Sequence, residues 1–355
     1  MNSKRENLLR TLRREGFEQV PVDPNAFCPA QVEAFGKRFG HDDIAGWFDS
    51  PVRCTWMPAH QTFTDAARLF PRETLPDNTF IDEWGIGHSS HPGCWHMTQM
   101  HHPLAGEDVT LDDIASYPMP VVDPSDVAVL SAQHREIHGH GLASSIGMTC
   151  TIWETSWYLR SMEDLMMDMA CDDDRATLLL DRVTDIAVKR AEACARSGAD
   201  IIQLGDDIGM QQTTLMSIDL WRKWLKPRLA RVISAARTIK PDVLFFYHSC
   251  GYVLPFILEL AEIGVDILNP VQPECMDFAE VHRIASGKLS FWGTIGTQSV
   301  LPFGTPDEVR EAVVSRLRIC GEAGGIVIGP THMVEPEVPW ENLAAMKDAA
   351  ESFRL

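Results

Sequence analysis

From Gly141 to the C-terminus the chain repeats one pattern. A short, nearly continuous apolar run ends in glycine or polar residues, and a segment with apolar residues at helical spacing follows. The runs are "GLASSIGMT" (Gly141 to Thr149), "ADIIQLGDD" (Ala199 to Asp207), "DVLFFYHSCG" (Asp242 to Gly251), "GVDILNPVQP" (Gly264 to Pro273), "LSFWGTIGTQ" (Leu289 to Gln298) and "GGIVIGPTH" (Gly324 to His332). Runs apolar on both faces are what a parallel sheet covered on both sides requires. The intervening segments Ser217 to Ile239, Val253 to Ile263 and Thr305 to Gly321 read as helices. The last opens on "TPDEV", a Thr N-cap followed by Pro at the first helical position and acids in the first turn.

Six such units, with two further strands expected before Pro120, predict an α/β chain folded as a (β/α)8 TIM barrel. The competing architecture, an open doubly wound sheet, carries a GxGxxG phosphate loop after its first strand, and none is present. The N-terminal stretch "MNSKRENLLRTLRREGFEQV" spaces Leu8, Leu9, Leu12 and Phe17 among charges and reads as an amphipathic helix, not a signal peptide. Pro51 to Pro120 is rich in Pro, Trp and His and reads as an elaborated loop and hairpin region over the C-terminal mouth. The whole, residues 1–355, reads as a single barrel domain, with 1–120 contributing the N-terminal helix, the early strands and lid-like loops.

Composition narrows the partners. The formal charge of −19 disfavours nucleic acid and anionic membrane surfaces. No window approaches the roughly 18 uncharged apolar residues of a membrane span. Nine cysteines are scattered without a CxxC pair, so a reduced, cytoplasmic compartment is expected.

In a parallel barrel the βα loops converge at the C-terminal ends of the strands. Those ends carry Asp206 and Asp207, His248 and Cys250, Asn269 and Gln272, Thr294 and Gln298, Thr331 and His332. Any one of these could be a turn residue bonding local backbone; together they outline a pocket. His248 and Cys250 stand two apart, so both can aim into the mouth, and an imidazole with a thiolate suits zinc. His332 and Asp206 are the leading candidates for a third ligand, with Cys275 behind them and Cys320 placed within a helix.

A denser cluster, "HSSHPGCWHMTQMHH" (His88 to His102), holds five of the thirteen histidines. It contains Pro92 and Gly93 and is expected to lack a regular element that would fix His88, His91, Cys94 and His96 in mutual geometry. It reads as pocket wall, with His96 a candidate substrate contact.

The chain resembles the uroporphyrinogen decarboxylase superfamily, which includes the decarboxylase of haem synthesis and zinc-dependent, corrinoid-linked methyltransferases. The resemblance rests on "DEWGI" (Asp82 to Ile86), "HPLA" (His102 to Ala105), "GDDIGMQ" (Gly205 to Gln211), "YHSCG", "VDILNPVQP", "FWGTIGTQSVLPFGTPDEV", "GGIVIGPTH" and "VPWENLAAM" (Val338 to Met346), in order. It implies a barrel with its site at the C-terminal mouth. The decarboxylase's RPxWxMRQAGR motif, which serves a many-carboxylate substrate, is missing, and the methyltransferase branch is the better match through its HxC…C zinc motif. His248 and Cys250 match the first two ligands; where the distal cysteine is expected this chain has "GPTHMV", so His332 or Asp206 would have to complete the site.

The resemblance implies methyl transfer between a small methylated substrate or acceptor and a corrinoid, with Zn2+ as Lewis acid. In that reading Asp206, Asp207 and Tyr158 are catalytic, and Asn269, Gln272, Trp84 and Trp292 contact substrate. The expected partners are a small molecule and a corrinoid-binding protein, and a homodimer is compatible with the chain. Two other classes stay open: a metal-free decarboxylase or lyase using Asp206, Tyr158 and His332, and a non-catalytic ligand-binding barrel.

Overall fold

The computed structural model describes residues 2–63, 66–71, 73–90, 98–285 and 287–354. Seven parallel strands form the main sheet: β1 (Val52–Trp56), β5 (Ala143–Met148), β6 (Ile201–Gly205), β7 (Leu244–His248), β8 (Ile267–Asn269), β9 (Ser290–Trp292) and β10 (Ile326–Val327), hydrogen-bonded in that order. Strands β2 (Phe80–Ile81), β3 (Gly87–Ser90) and β4 (Thr98–His101) form a separate antiparallel sheet. The six apolar runs after Gly141 supply β5 to β10.

The main sheet curls into a TIM-barrel type of fold, and its inner face shows why. Val52, Ala143, Ile201, Leu244, Phe246, Ile267, Trp292 and Val327, drawn from all seven strands, meet in one buried cluster. A flat sheet could not bring its first and last strands to a common core. No eighth strand joins the main sheet among the described residues: Val22 adds a single parallel bridge to Ile328, and Asp23 accepts a hydrogen bond from Ser50 Oγ just before β1.

The same cluster takes in Leu8, Leu9 and Leu12 of the helix Lys4–Leu12. That helix opens on a capping box of Ser3 and Glu6 and plugs the N-terminal end of the barrel. Its backbone meets the strand beginnings: Arg5 N–H donates to Gly141 O, Gly325 N–H to Thr11 O, and Ser290 Oγ to Leu12 O. Arg5 pairs with buried Asp200 through two bonds of 2.7 and 2.9 Å, and His138 and the Ser144 amide also reach Asp200.

Outside the sheet, the expected helix from Ser217 to Ile239 is two helices, Ile218–Trp224 and Lys226–Ile239. Pro227 lies in the first turn of the second, where its missing N–H is harmless, whereas a continuous helix would need that donor. Thr305 caps Pro306–Cys320 through a full capping box, as its sequence predicts. No helix among the described residues is long and apolar enough to cross a membrane.

The histidine-rich run is more regular than expected. Its described parts pair in an antiparallel ladder, His88 opposite Met100 and Gly87 opposite His101. The run is polar on both faces, so no alternation advertised a strand. His91, Cys94 and His96 lie outside the described residues.

Candidate functional site

Strand β7 ends at His248, and the chain continues through Ser249 and Cys250 with its alternation intact. Ser249 turns away, its Oγ accepting from Ile208 N–H, while His248 and Cys250 face one another with Nε2 to Sγ at 3.5 Å. His332, five residues beyond β10, completes the group. One ligand atom each from His248, Cys250 and His332 lies within 4.8 Å of the others, and the two imidazole centroids are 5.9 Å apart. Thr331 anchors that segment: its amide donates to Ile295 O, and its Oγ accepts from Thr297 N–H at 3.1 Å.

The orientation of His248 is fixed from the next strand. Asn269, its register partner on β8, donates from Nδ2 to Trp292 O at 2.7 Å. Its Oδ1 therefore faces His248 Nδ1 at 2.6 Å and accepts the ring proton. The lone pair is left on Nε2, the nitrogen turned to Cys250. Space for the imidazole comes from Gly205 on β6, where a Cβ would stand 2.8 Å from the His248 Cβ.

Cys250 is held by its own backbone, donating N–H to Asp207 Oδ1 at 2.8 Å. The next amide, of Gly251, donates to Gln272 Oε1. Burial and the Asp207 carboxylate push the Cys250 thiol well up, so it calls for a cation if it is to ionise at neutral pH. Asp207 is 42% exposed and stands 3.8 Å from His248 Nε2.

Asp206 is not in the ligand group. It is 3% exposed, and its carboxylate accepts the amides of Ile152 and Glu154 at 3.0 to 3.2 Å, anchoring the first turn of the helix Trp153–Arg160. Burial and the Glu154 carboxyl push the acid up against those amides.

Two residues that strand-end reasoning passed over complete the mouth, Cys150 and Glu154. Tyr158 OH donates to Glu154 Oε1 at 2.8 Å, and Cys150 Sγ lies 3.7 Å from the same hydroxyl. Burial and Asp207 push the Glu154 acid up; burial and Glu154 do the same to the Tyr158 phenol. Applying the strand-end rule to "GMTCTIWE" after β5 would have flagged both.

Beside this network lies a cavity of about 240 Å³, lined among others by Trp56, Glu83, Trp84, Cys150, Tyr158 and Arg190. Arg190 pairs with Glu83 Oε1 at 2.6 Å and lies 5.3 Å over the Trp84 ring. Of the expected substrate contacts, Trp84 lines this cavity. Trp292 does not: it sits in the barrel interior against Phe246, its indole N–H donating to Asp23. Asn269 and Gln272 are buried and engaged with His248 and Gly251; His96 lies outside the described residues. In the run, His88 pairs with Asp82, His101 with Glu73, and His102 reaches Tyr158 O.

The chain has relatives among known proteins. Residues 107–353 match the family model described as uroporphyrinogen decarboxylase. The chain belongs to the uroporphyrinogen decarboxylase family. Within it, a methylcobamide:CoM methyltransferase of Methanosarcina barkeri is 27% identical over 174 residues, 49% of this chain and 48% of that protein. The match therefore spans about half of that enzyme's length. A uroporphyrinogen decarboxylase of Coxiella burnetii is 24% identical across 99% of this chain and 96% of its own. A solved methyltransferase from Methanosarcina mazei superposes with a TM-score of 0.68 at 18% identity, covering 99% of both chains; this likeness speaks for the fold. The family relatives are thus enzymes of two kinds, methyltransferases and decarboxylases.

Proposed function

We propose that this chain is a zinc-dependent methyltransferase that moves a methyl group between a small methylated substrate or acceptor and a corrinoid brought by a partner protein. The observation that carries this reading is the convergence of His248 Nε2, Cys250 Sγ and His332 at the barrel mouth, with the first imidazole already held in its metal-binding tautomer.

The donor set fits zinc. With Zn–S near 2.3 Å and Zn–N near 2.05 Å, a tetrahedral N–Zn–S edge is about 3.6 Å, against 3.5 Å between Cys250 Sγ and His248 Nε2. Three protein ligands leave one position for substrate, as catalytic zinc sites do. Bound there, zinc would act as a Lewis acid on the heteroatom that loses or accepts the methyl group. When methyl leaves a heteroatom for reduced cobalt, the electron pair of the broken bond stays on that heteroatom, which then needs a proton. The Glu154–Tyr158 pair holds one at the cavity wall, the phenol being its last member. In the reverse direction an acceptor thiol gives up its proton before attack. Asp207, half exposed beside the ligands, is the second group placed to receive it.

The decarboxylase reading draws on the full-length similarity to the Coxiella burnetii enzyme. Asp206, which that reading would use, is committed to the amides of Ile152 and Glu154.

The deciding experiment is metal analysis of the protein after zinc-replete expression, with methyl transfer from methylcobalamin to a thiol measured in parallel. About one equivalent of zinc is expected in the wild type and well under a tenth in His248→Ala and Cys250→Ser, with activity lost in step. Wild type without zinc, or active Cys250→Ser, would overturn the proposal.

A further inference from the structure

The inner face of the barrel mouth holds a large aromatic surface that the described residues leave mostly exposed. Trp56 is the last residue of β1. Val52, two pairs of residues earlier, points into the barrel core, and strand alternation sends Cys54 and Trp56 the same way. Yet Trp56 is 60% exposed, an unusual state for an indole turned toward the barrel axis.

Its other face is supported. The register partner of Trp56 on β5 is Gly147, and a Cβ there would collide with the six-membered part of the indole. The ring thus sits against the β5 backbone in a space that only glycine provides. Gly147 and Gly205 are both inward positions, on β5 and β6, between Trp56 on β1 and His248 on β7. The two glycines leave the wall between indole and imidazole without side chains at those positions. Trp56 is also part of the cavity wall, together with Tyr158, Cys150, Glu83 and Arg190.

We infer that Trp56 is a stacking platform, and that the small substrate is a single-ring aromatic carrying its methyl group on a ring heteroatom substituent, such as an aryl methyl ether or thioether. This rests on the methyltransferase reading for the reaction but not for the binding. An exposed π-face favours a planar, unsaturated partner over an aliphatic one. The size follows from the cavity, about 240 Å³; since a pocket of about 150 Å³ admits benzene, one substituted ring fits. Methyl transfer from such a substrate breaks the bond between methyl carbon and heteroatom. The pair stays on oxygen or sulfur, the methyl passes to the corrinoid cobalt, and the aryl oxide or thiolate takes a proton. The ring spreads the developing charge, which makes it a better leaving group than an alkoxide.

The test uses the zinc-loaded protein and two probes of matched function, 2-methoxyphenol and 2-methoxyethanol, titrated calorimetrically. Wild type should bind the aromatic probe at least tenfold more tightly. Trp56→Leu, which keeps apolar bulk without the π-face, should lose about tenfold for 2-methoxyphenol and little for 2-methoxyethanol, while Trp56→Phe keeps most of the preference. Gly147→Ala, which displaces the indole, should mimic Trp56→Leu. Cys250→Ser, titrated with 2-methoxyphenol, reports the platform without the metal ligand. Ring binding that persists in Cys250→Ser supports the platform; a wild type that takes up no zinc yet still binds the ring through Trp56 would sink the methyltransferase reading and leave the platform standing. Zinc at one equivalent with equal affinity for the two probes, or Trp56→Leu indistinguishable from wild type, would overturn the platform alone. So would a Trp56→Leu defect confined to the KM for free methylcobalamin, which would assign the indole to the corrinoid.

Discussion

Asn269 shows how much a single side chain can decide. An imidazole binds metal through one nitrogen, and the proton on the other must be held elsewhere for the ring to keep its tautomer. Here Trp292 O fixes the amide and the amide fixes the ring. Asn269→Ala should therefore lower zinc affinity about 10- to 100-fold with the fold retained. Competition with a chromophoric chelator, beside circular dichroism, reads both; unchanged affinity would remove the positioning role. The sequence expectation for Asn269 was a substrate contact. The spacing of His248 and Cys250 was legible because period-two alternation is local. The partner of Asn269 was not, because it depends on the register between β7 and β8, a non-local property. Trp56 was illegible for the same reason, its platform being made by Gly147 of another strand.

Among the elements, the N-terminal helix was visible in the spacing of Leu8, Leu9 and Leu12, but its docking site was not. Its side-chain anchor on the strands is the pair of Arg5 with Asp200. Burial raises the Asp200 acid, while Arg5 and the Ser144 amide more than offset this and leave it below its ordinary value. A carboxyl depressed in the folded state contributes stability that is present above its unfolded pKa, about 3.9, and is lost as pH falls through the lower folded value. Asp200→Asn should cost about 2 kcal/mol at neutral pH. It should also flatten the decline of stability below about pH 4, as read from urea unfolding at several pH values; an unaltered acid limb would show that the pair does not hold the helix. Other element-scale differences have local causes. Pro227 split one expected helix, a signal present in "WLKPRL". The β3–β4 ladder carried no apolar alternation to reveal it.

At the scale of the molecule the barrel class could be read because strands β5 to β10 are buried on both faces, which forces near-continuous apolar runs. That only one of the two strands expected before Pro120 joins the main sheet among the described residues could not, since the segment at Val22 makes an isolated bridge to Ile328 and no longer ladder. The helix that seals the N-terminal end has a kinetic consequence. With Leu8, Leu9 and Leu12 filling that end, the C-terminal mouth is the entrance that serves the site, and what enters there leaves there. A small molecule seated against Trp56 would lie beneath any protein that docks across the opening. The proposed reaction should then follow a compulsory order, small substrate on first and its demethylated product off last. Initial-rate measurements should find that product a competitive inhibitor against the small substrate and noncompetitive against the corrinoid protein. Random-order patterns would mean that this entrance stays ajar while the partner is bound.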